Sequence, residues 1–176
     1  MSFSTLFHIV GIKKRLAWLC VNHVFRGTNP AYFRVKAKVL NMAGYKVGKG
    51  TRIVGPIECT GTFAIGNNCW IGKNMKINGN GKVMIGNNCD IAPEVTFQTG
   101  GHMIGSSERR AGKGLVFNQT VEDGVWIGGR VTVLNNTTIG KSSVIAACAC
   151  VVHNIEPNVL AAGIPAKTIR RLEDDT

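Results

Sequence analysis

Residues 98–114 read QTGGHMIGSSERRAGKG. The run sets one histidine, His102, ahead of Arg109, Arg110 and Lys113. An imidazole of ordinary pKa, near 6.5, is largely neutral at pH 7 and can take a proton from a hydroxyl. General-base help of that kind accelerates a transfer roughly 10²- to 10⁴-fold. The cations that follow suit an anionic or polar acceptor. The same three cations could equally form a solvated loop face, and a lone histidine among glycines need do nothing. Position favours chemistry, because this run interrupts a sequence that is otherwise regular.

The regularity is a beat of six. Aliphatic residues recur at Val47, Ile53, Ile65, Ile71 and Ile77. After a two-residue insertion they continue at Ile85 and Ile91. They return at Val121, Ile127, Val133, Ile139, Ile145 and Val151, with Cys59 and Phe97 in the same phase. Four positions after the beat stands a second small or apolar residue, as in Cys69, Met75, Cys89, Val95, Val125, Val131, Ser143 and Ala149. Neither an α-helix nor an alternating strand repeats every six residues. A parallel β-helix does, with one short strand and turn per hexad and three hexads per triangular coil. The fold class expected is therefore an all-β solenoid. Gly and Asn at the corners would supply positive φ at little cost. Residues from about 99 to 118 fit the phase poorly and read as a loop thrown out from one corner, and long loops in compact domains usually carry function.

Composition agrees with such a scaffold: 176 residues, 22 of them Gly, and 18% charged. The net charge of +11 is unevenly placed. Ten basic residues precede the first acid, Glu58, and the other eleven face all ten acids. The six cysteines include Cys148-Ala-Cys150, whose spacing lacks the two-residue gap of a usual zinc knuckle or redox pair. No secretory signal is read at the start, so small, buried, reduced thiols and a cytoplasmic location are expected.

The hexads, His102 in its loop, Val125-Trp126-Ile127-Gly128 and the closing Ala162-Gly163-Ile164-Pro165-Ala166-Lys167-Thr168-Ile169-Arg170 together resemble the hexapeptide-repeat acyltransferases. The resemblance covers about residues 45 to 172 and is nearest to the sugar O-acetyltransferases. It extends both to the maltose and galactoside type and, through Arg109-Arg110-Ala111-Gly112-Lys113-Gly114, to the branch found in surface-polysaccharide clusters. It implies a left-handed β-helix, a homotrimer, acetyl-CoA as co-substrate and no metal. It also implies His102 as the catalytic base and the backbone N–H of Gly129 as the oxyanion donor. Trp126, Gly129, Ala147, Lys167 and Arg170 would contact the coenzyme, with the two cations near its phosphates. His153 stands where the sugar enzymes carry a phosphate-binding lysine. Relatives orient the histidine with a loop carboxylate, and the matching position here is Gly114. Glu108, Glu122 or a backbone carbonyl are the substitutes. The acceptor-binding asparagine of the galactoside enzyme falls on Gly72, which leaves Asn78 and Asn80 as the nearest polar candidates for the acceptor, alongside Arg109 and Arg110.

The expected organisation is a basic helical segment over 1–45, the β-helix over 46–157 with its loop at about 98–120, and a tail over 158–176. Residues 3–26 suit one or two helices, but Lys13-Lys14-Arg15 splits the apolar run below the length of a membrane span. Such a segment would cover the open end of the solenoid. A second reading is peripheral contact through residues 1–45 with the inner face of a membrane, apolar residues in the headgroup region and cations on anionic lipid, and a third is binding of an anionic glycan or a lipid-linked sugar pyrophosphate by the same cations. The absence of a recognisable motif argues against nucleic acid.

The function expected is acetyl transfer from acetyl-CoA to a sugar hydroxyl of a surface polysaccharide or its precursor. An N-acetyltransferase acting on an amino-sugar nucleotide keeps the fold and changes the acceptor. A zinc lyase on the same fold needs three converging histidines, and the repeat region holds only His102 and His153. A non-catalytic β-helix scaffold would need neither the loop nor the basic tail.

Overall fold

The computed structural model describes residues 12–173. Phe3, Leu6, Phe7, Ile9 and Val10 of the expected N-terminal helix lie outside the described residues, as do the last three residues of the tail.

From Lys46 onward the chain winds as a left-handed parallel β-helix of about six coils. Three sheets form the walls of a prism. One wall stacks Lys46–Val47, Thr62–Ile65, Lys82–Ile85, Asn118–Val121 and Thr138–Ile139. A second stacks Arg52–Ile53, Trp70–Ile71, Asp90–Ile91, Trp126–Ile127, Val144–Ile145 and Val159–Ala162, and the antiparallel Lys167–Arg171 closes it. A third stacks Ile57–Cys59, Met75–Asn78, Thr96–Gln98, Thr132–Val133 and Cys150–Val151. The beat residues face inward: Ile53, Ile71, Ile91, Ile127 and Ile145 lie in register one above another, each about 1% exposed or less. The second apolar position of each hexad is buried too, from Cys69 to Ala149. Two inward columns per wall fill a narrow prism, which explains why both positions are restricted to small or aliphatic types.

The corners correct one expectation. The glycine directly after the beat residue does not supply positive φ. It is required because coils stack so closely that a Cβ at Gly66 would lie 2.5 Å from the Gly86 carbonyl oxygen. Positive φ falls three residues after the beat residue, at Asn68, Asn74 and Asn88, and also at Glu94, Arg130, Ser142 and Cys148. Asn side chains then chain the corners together, with Lys49 N–H donating to Asn67 and Asn67 N–H to Asn87 at 2.8 and 2.9 Å. The Asn87 N–H donates in turn to Asp123 Oδ1 at 2.7 Å, and these bonds hold the Asp123 carboxyl below the usual carboxylate range.

Residues 12–19 are helical and widen into a π turn at Cys20–Val24. An α-helix, Pro30–Met42, follows, with Asn29 as its cap and Pro30 at the first position. These helices cover the first coil. Ala17, Val21 and Leu40 are buried against Tyr45, which stacks on Phe63 with ring centroids 4.5 Å apart. Lys36 is fully buried, and its ammonium donates to the carbonyls of Gly27, Ile53 and Val54 at 3.0, 2.6 and 2.8 Å. Three donors meet three acceptors at the end of the prism. Burial pulls the group down to about 8, so it remains cationic at neutral pH.

Among the described residues no helix is long and apolar enough to cross a membrane. Nor do three or more His, Cys, Asp or Glu side chains converge there as a metal site would require. All six cysteines are free thiols. Cys69 and Cys89 are buried as expected, but Cys148 is exposed, because it occupies a positive-φ corner rather than an inward column.

Candidate active site

The loop is a two-stranded antiparallel hairpin, Gly100–Ile104 against Ala111–Val116. It leaves the prism at the corner between the third wall and the first. Its root is fixed by buried polar groups. Thr99, fully buried, donates its hydroxyl to Asn78 O at 3.0 Å and accepts Gly81 N–H at 3.2 Å. Phe117 N–H donates to Thr99 O, closing the root. Buried Gln119 sends its amide to the carbonyls of Gln98, Val133 and Asn135 at 3.0 to 3.1 Å. The Phe117 ring packs on Gly101, where a Cβ would come within 2.7 Å of it.

His102 pairs across the hairpin with Gly114, and its Nδ1 lies 2.9 Å from Gly112 O. A carbonyl can only accept, so Nδ1 carries the proton and Nε2 keeps its lone pair. The orienting group is thus a backbone carbonyl. Glu108 is exposed at the hairpin tip, and Glu122 sits at a different corner, accepting Lys141 N–H at 2.8 Å.

Asn78 and Asn80 lie beneath the hairpin root, where the Gly79 backbone abuts Gly100. Arg109 and Arg110 are exposed at the tip, and Arg110 Nη1 also donates to Gly105 O at 3.3 Å. Gly72 has no room for a side chain, since a Cβ there would meet the Ala92–Pro93 peptide at 2.6 Å.

The remaining candidates gather elsewhere, on the second wall and the corner that follows it. Trp126 pairs with Val144, Val144 with Leu160, Leu160 with Arg170, and Ala162 with Lys167. Gly129 and Ala147 sit on successive coils of the adjoining corner, joined by Cys148 N–H to Gly129 O at 2.9 Å. Among the described residues the Gly129 N–H finds no acceptor. Trp126 is 56% exposed and stands over Asp90 and Trp70 in register, and the three line one depression with Pro93. Trp70 and Asp90 were not singled out from sequence. Their signal is the position directly before the beat residue in every third hexad, which is the outward face of this wall.

One chain therefore does not bring His102 to Gly129. The third wall separates their corners, and the six steps from Pro93 to Thr99 span roughly 20 Å at about 3.3 Å per residue.

No family model matches the chain. It is 32% identical to the galactoside O-acetyltransferase of Escherichia coli over 168 residues, covering 92% of this chain and 81% of that protein. Among solved structures, it resembles a hexapeptide-repeat acetyltransferase from Vibrio cholerae with a TM-score of 0.79 and 25% identity, over 97% of this chain and 94% of that one. It also resembles a galactoside acetyltransferase in complex with coenzyme A, with a TM-score of 0.68 and 26% identity, over 92% of this chain and 80% of that one. A six-residue beat folded as a prism, a histidine oriented on a hairpin extruded from it and these likenesses place the chain in the family of hexapeptide-repeat acetyltransferases.

Proposed function

We propose that the protein transfers the acetyl group of acetyl-CoA to a hydroxyl of a sugar acceptor from a surface polysaccharide or its precursor, with His102 as general base. The bond from His102 Nδ1 to Gly112 O carries this reading. It fixes the tautomer in which Nε2 is basic, on an exposed side chain at the start of the hairpin. The Nε2 lone pair takes the proton of the acceptor hydroxyl as its oxygen attacks the thioester carbonyl. The tetrahedral oxyanion then accepts the unused Gly129 N–H. Collapse breaks the C–S bond, and the imidazolium returns its proton to the departing thiolate. Trp126 and Ala147 flank the pantetheine arm, and Lys167 and Arg170 hold the coenzyme's phosphates.

His102 and Gly129 must then come from different copies of the chain. Met103, Ile104 and Val116 of the hairpin are all more than half exposed, and a neighbouring copy would cover them. Three copies around a threefold axis give three such sites, each between two prisms.

The test is release of CoA thiol by purified protein across neutral sugars, amino sugars and sugar diphosphates, comparing wild type with His102→Ala. Release that depends on a sugar and drops by roughly 10²-fold or more in the variant, with acetyl-CoA binding intact, is the expected result. Full activity in the variant overturns the assignment of His102. Transfer to amines alone replaces the hydroxyl acceptor by an amino sugar.

A further inference from the structure

Charge and cavity coincide at the other end of the second wall. Between helix Pro30–Met42 and the first coil lies a cleft of about 1200 Å³. Arg34 and Lys38, one turn apart on the helix, face Lys49 and Arg52 of the first coil across it. All four are exposed, and no Asp or Glu lines the cleft. Among the described residues none of the four forms an ion pair. Four like charges around one concavity repel one another, and that cost is recovered only when an anion enters. Phe33 and Trp70 supply an apolar wall, their rings 6.0 Å apart.

The cleft also has a direction. Arg52 pairs with Trp70, Trp70 with Asp90, and Asp90 with Trp126 on the outer face of one wall. Trp70 lines both this cleft and the depression that ends at Trp126. Three steps of about 4.8 Å put Arg52 roughly 15 Å from Trp126. One carboxylate, Asp90, stands one step short of Trp126, where sugar hydroxyls could donate to it.

Resting on the acetyltransferase reading above, we infer that the acceptor is a sugar carrying a phosphate or diphosphate. Its phosphoryl oxygens bind Arg34, Lys38, Lys49 and Arg52, and its sugar extends over Trp70 and Asp90 toward the reacting end. A diphosphate offers several anionic oxygens to guanidinium forks and ammonium groups at once, which a neutral galactoside or maltose-like acceptor cannot do. Nucleotide-linked and lipid-linked sugars share this chemistry.

The first arm of the experiment uses the full chain and inorganic pyrophosphate in titration calorimetry at low and high salt. Wild type is expected to bind, more weakly at high salt. The double variant Lys49→Ser/Arg52→Ser loses about tenfold or more, since two charge-assisted donors to the anion are removed. A control of equal charge change on another wall and corner, Lys82→Ser/Lys141→Ser, shifts affinity by less than about twofold. No pyrophosphate binding by wild type, equal affinity in the cleft variant, or equal loss in the control overturns the inference. The second arm measures acetyl transfer to a uridine-diphosphate sugar, a prenyl-diphosphate sugar and a free sugar. The cleft variant is expected to raise KM for a diphosphate acceptor without changing KM for acetyl-CoA, and the preferred diphosphate identifies the source. Pyrophosphate binding without transfer to any acceptor would remove the proposed activity and leave the cleft standing as an anion site. Transfer to free sugar with no pyrophosphate binding would do the reverse.

Discussion

The prism and the hairpin place functional groups by opposite means. On the second wall, Trp126 is positioned from beneath: Ile127 is fully buried, and its strand hydrogen-bonds to coils on both sides. On the hairpin no residue from Gly100 to Val116 is buried. His102 is positioned by a backbone ladder, by one bond to Gly112 O and by the root at Thr99 and Gln119. Repetition supplies a straight, rigid wall, and under the function proposed above that wall would seat a coenzyme. The same proposal asks His102 to reach another surface, which takes an extrusion that the repeat cannot make without breaking.

Removing residues 101–116, His102 among them, and closing Gly100 to Phe117 with Gly should abolish acetyl transfer while the melting temperature stays within about 2 °C, because none of these residues is buried. A large loss of stability on this deletion would show that the hairpin belongs to the fold. The converse change is Ile127→Ala, expected to cost about 2–5 kcal/mol in denaturant unfolding through its cavity. A smaller cost would mean that the coils relax along the prism. Gln119→Ala strands the carbonyls of Gln98, Val133 and Asn135 at the root and should cost about 1–3 kcal/mol. It should also lower kcat more than KM for acetyl-CoA, since it loosens the hairpin and not the wall. Equal effects on both constants would deny the root its positioning role.

Two smaller effects depend on pH. The Lys36 pKa is lowered from 10.5 to about 8 by burial. The unfolded chain then binds more protons between those values, so this group's contribution to stability rises across that window and its penalty is complete below about 8. Lys36→Met should flatten the alkaline limb of the stability profile, and an unchanged limb would place the titration elsewhere. Asp123 has a lowered pKa because the Asn87 N–H donates to it. Its contribution is present above the ordinary carboxylate value and is lost as pH falls through the lowered one. Asp123→Asn should remove a small part of the acid limb, read by thermal melts between about pH 2 and 6.

The parts legible in the sequence were those governed by local repetition. A residue type fixed every six positions by an inward column declares itself in one dimension, so the β-helix, the inward stacks from Val47 to Val151 and the point of extrusion near residue 98 could be read directly. The histidine stood out because it lay where the beat failed. The cysteines were read by type alone, and Cys148 shows the limit: whether a thiol points inward depends on its phase in the coil and not on its polarity. Trp70 and Asp90 escaped notice because their relation to Trp126 recurs once per coil, 20 and then 36 residues apart, distances at which nothing in the chain marks two residues as neighbours.

The sequence by itself determined the solenoid, the positive-φ corners at Asn, and which histidine stands out from the repeat, because each follows from spacing along the chain; the close stacking that demands Gly after the beat residue came only from the structure. Only the tertiary structure decided that a Gly112 carbonyl, and no carboxylate, orients His102, since backbone acceptors carry no sequence signal. It alone separated His102 and Gly129 by a wall of the prism, and it alone gathered Arg34, Lys38, Lys49 and Arg52 around one cleft. Those relations arise from how coils stack and how a helix docks across them, and residues far apart in the chain meet there for reasons that no local pattern encodes.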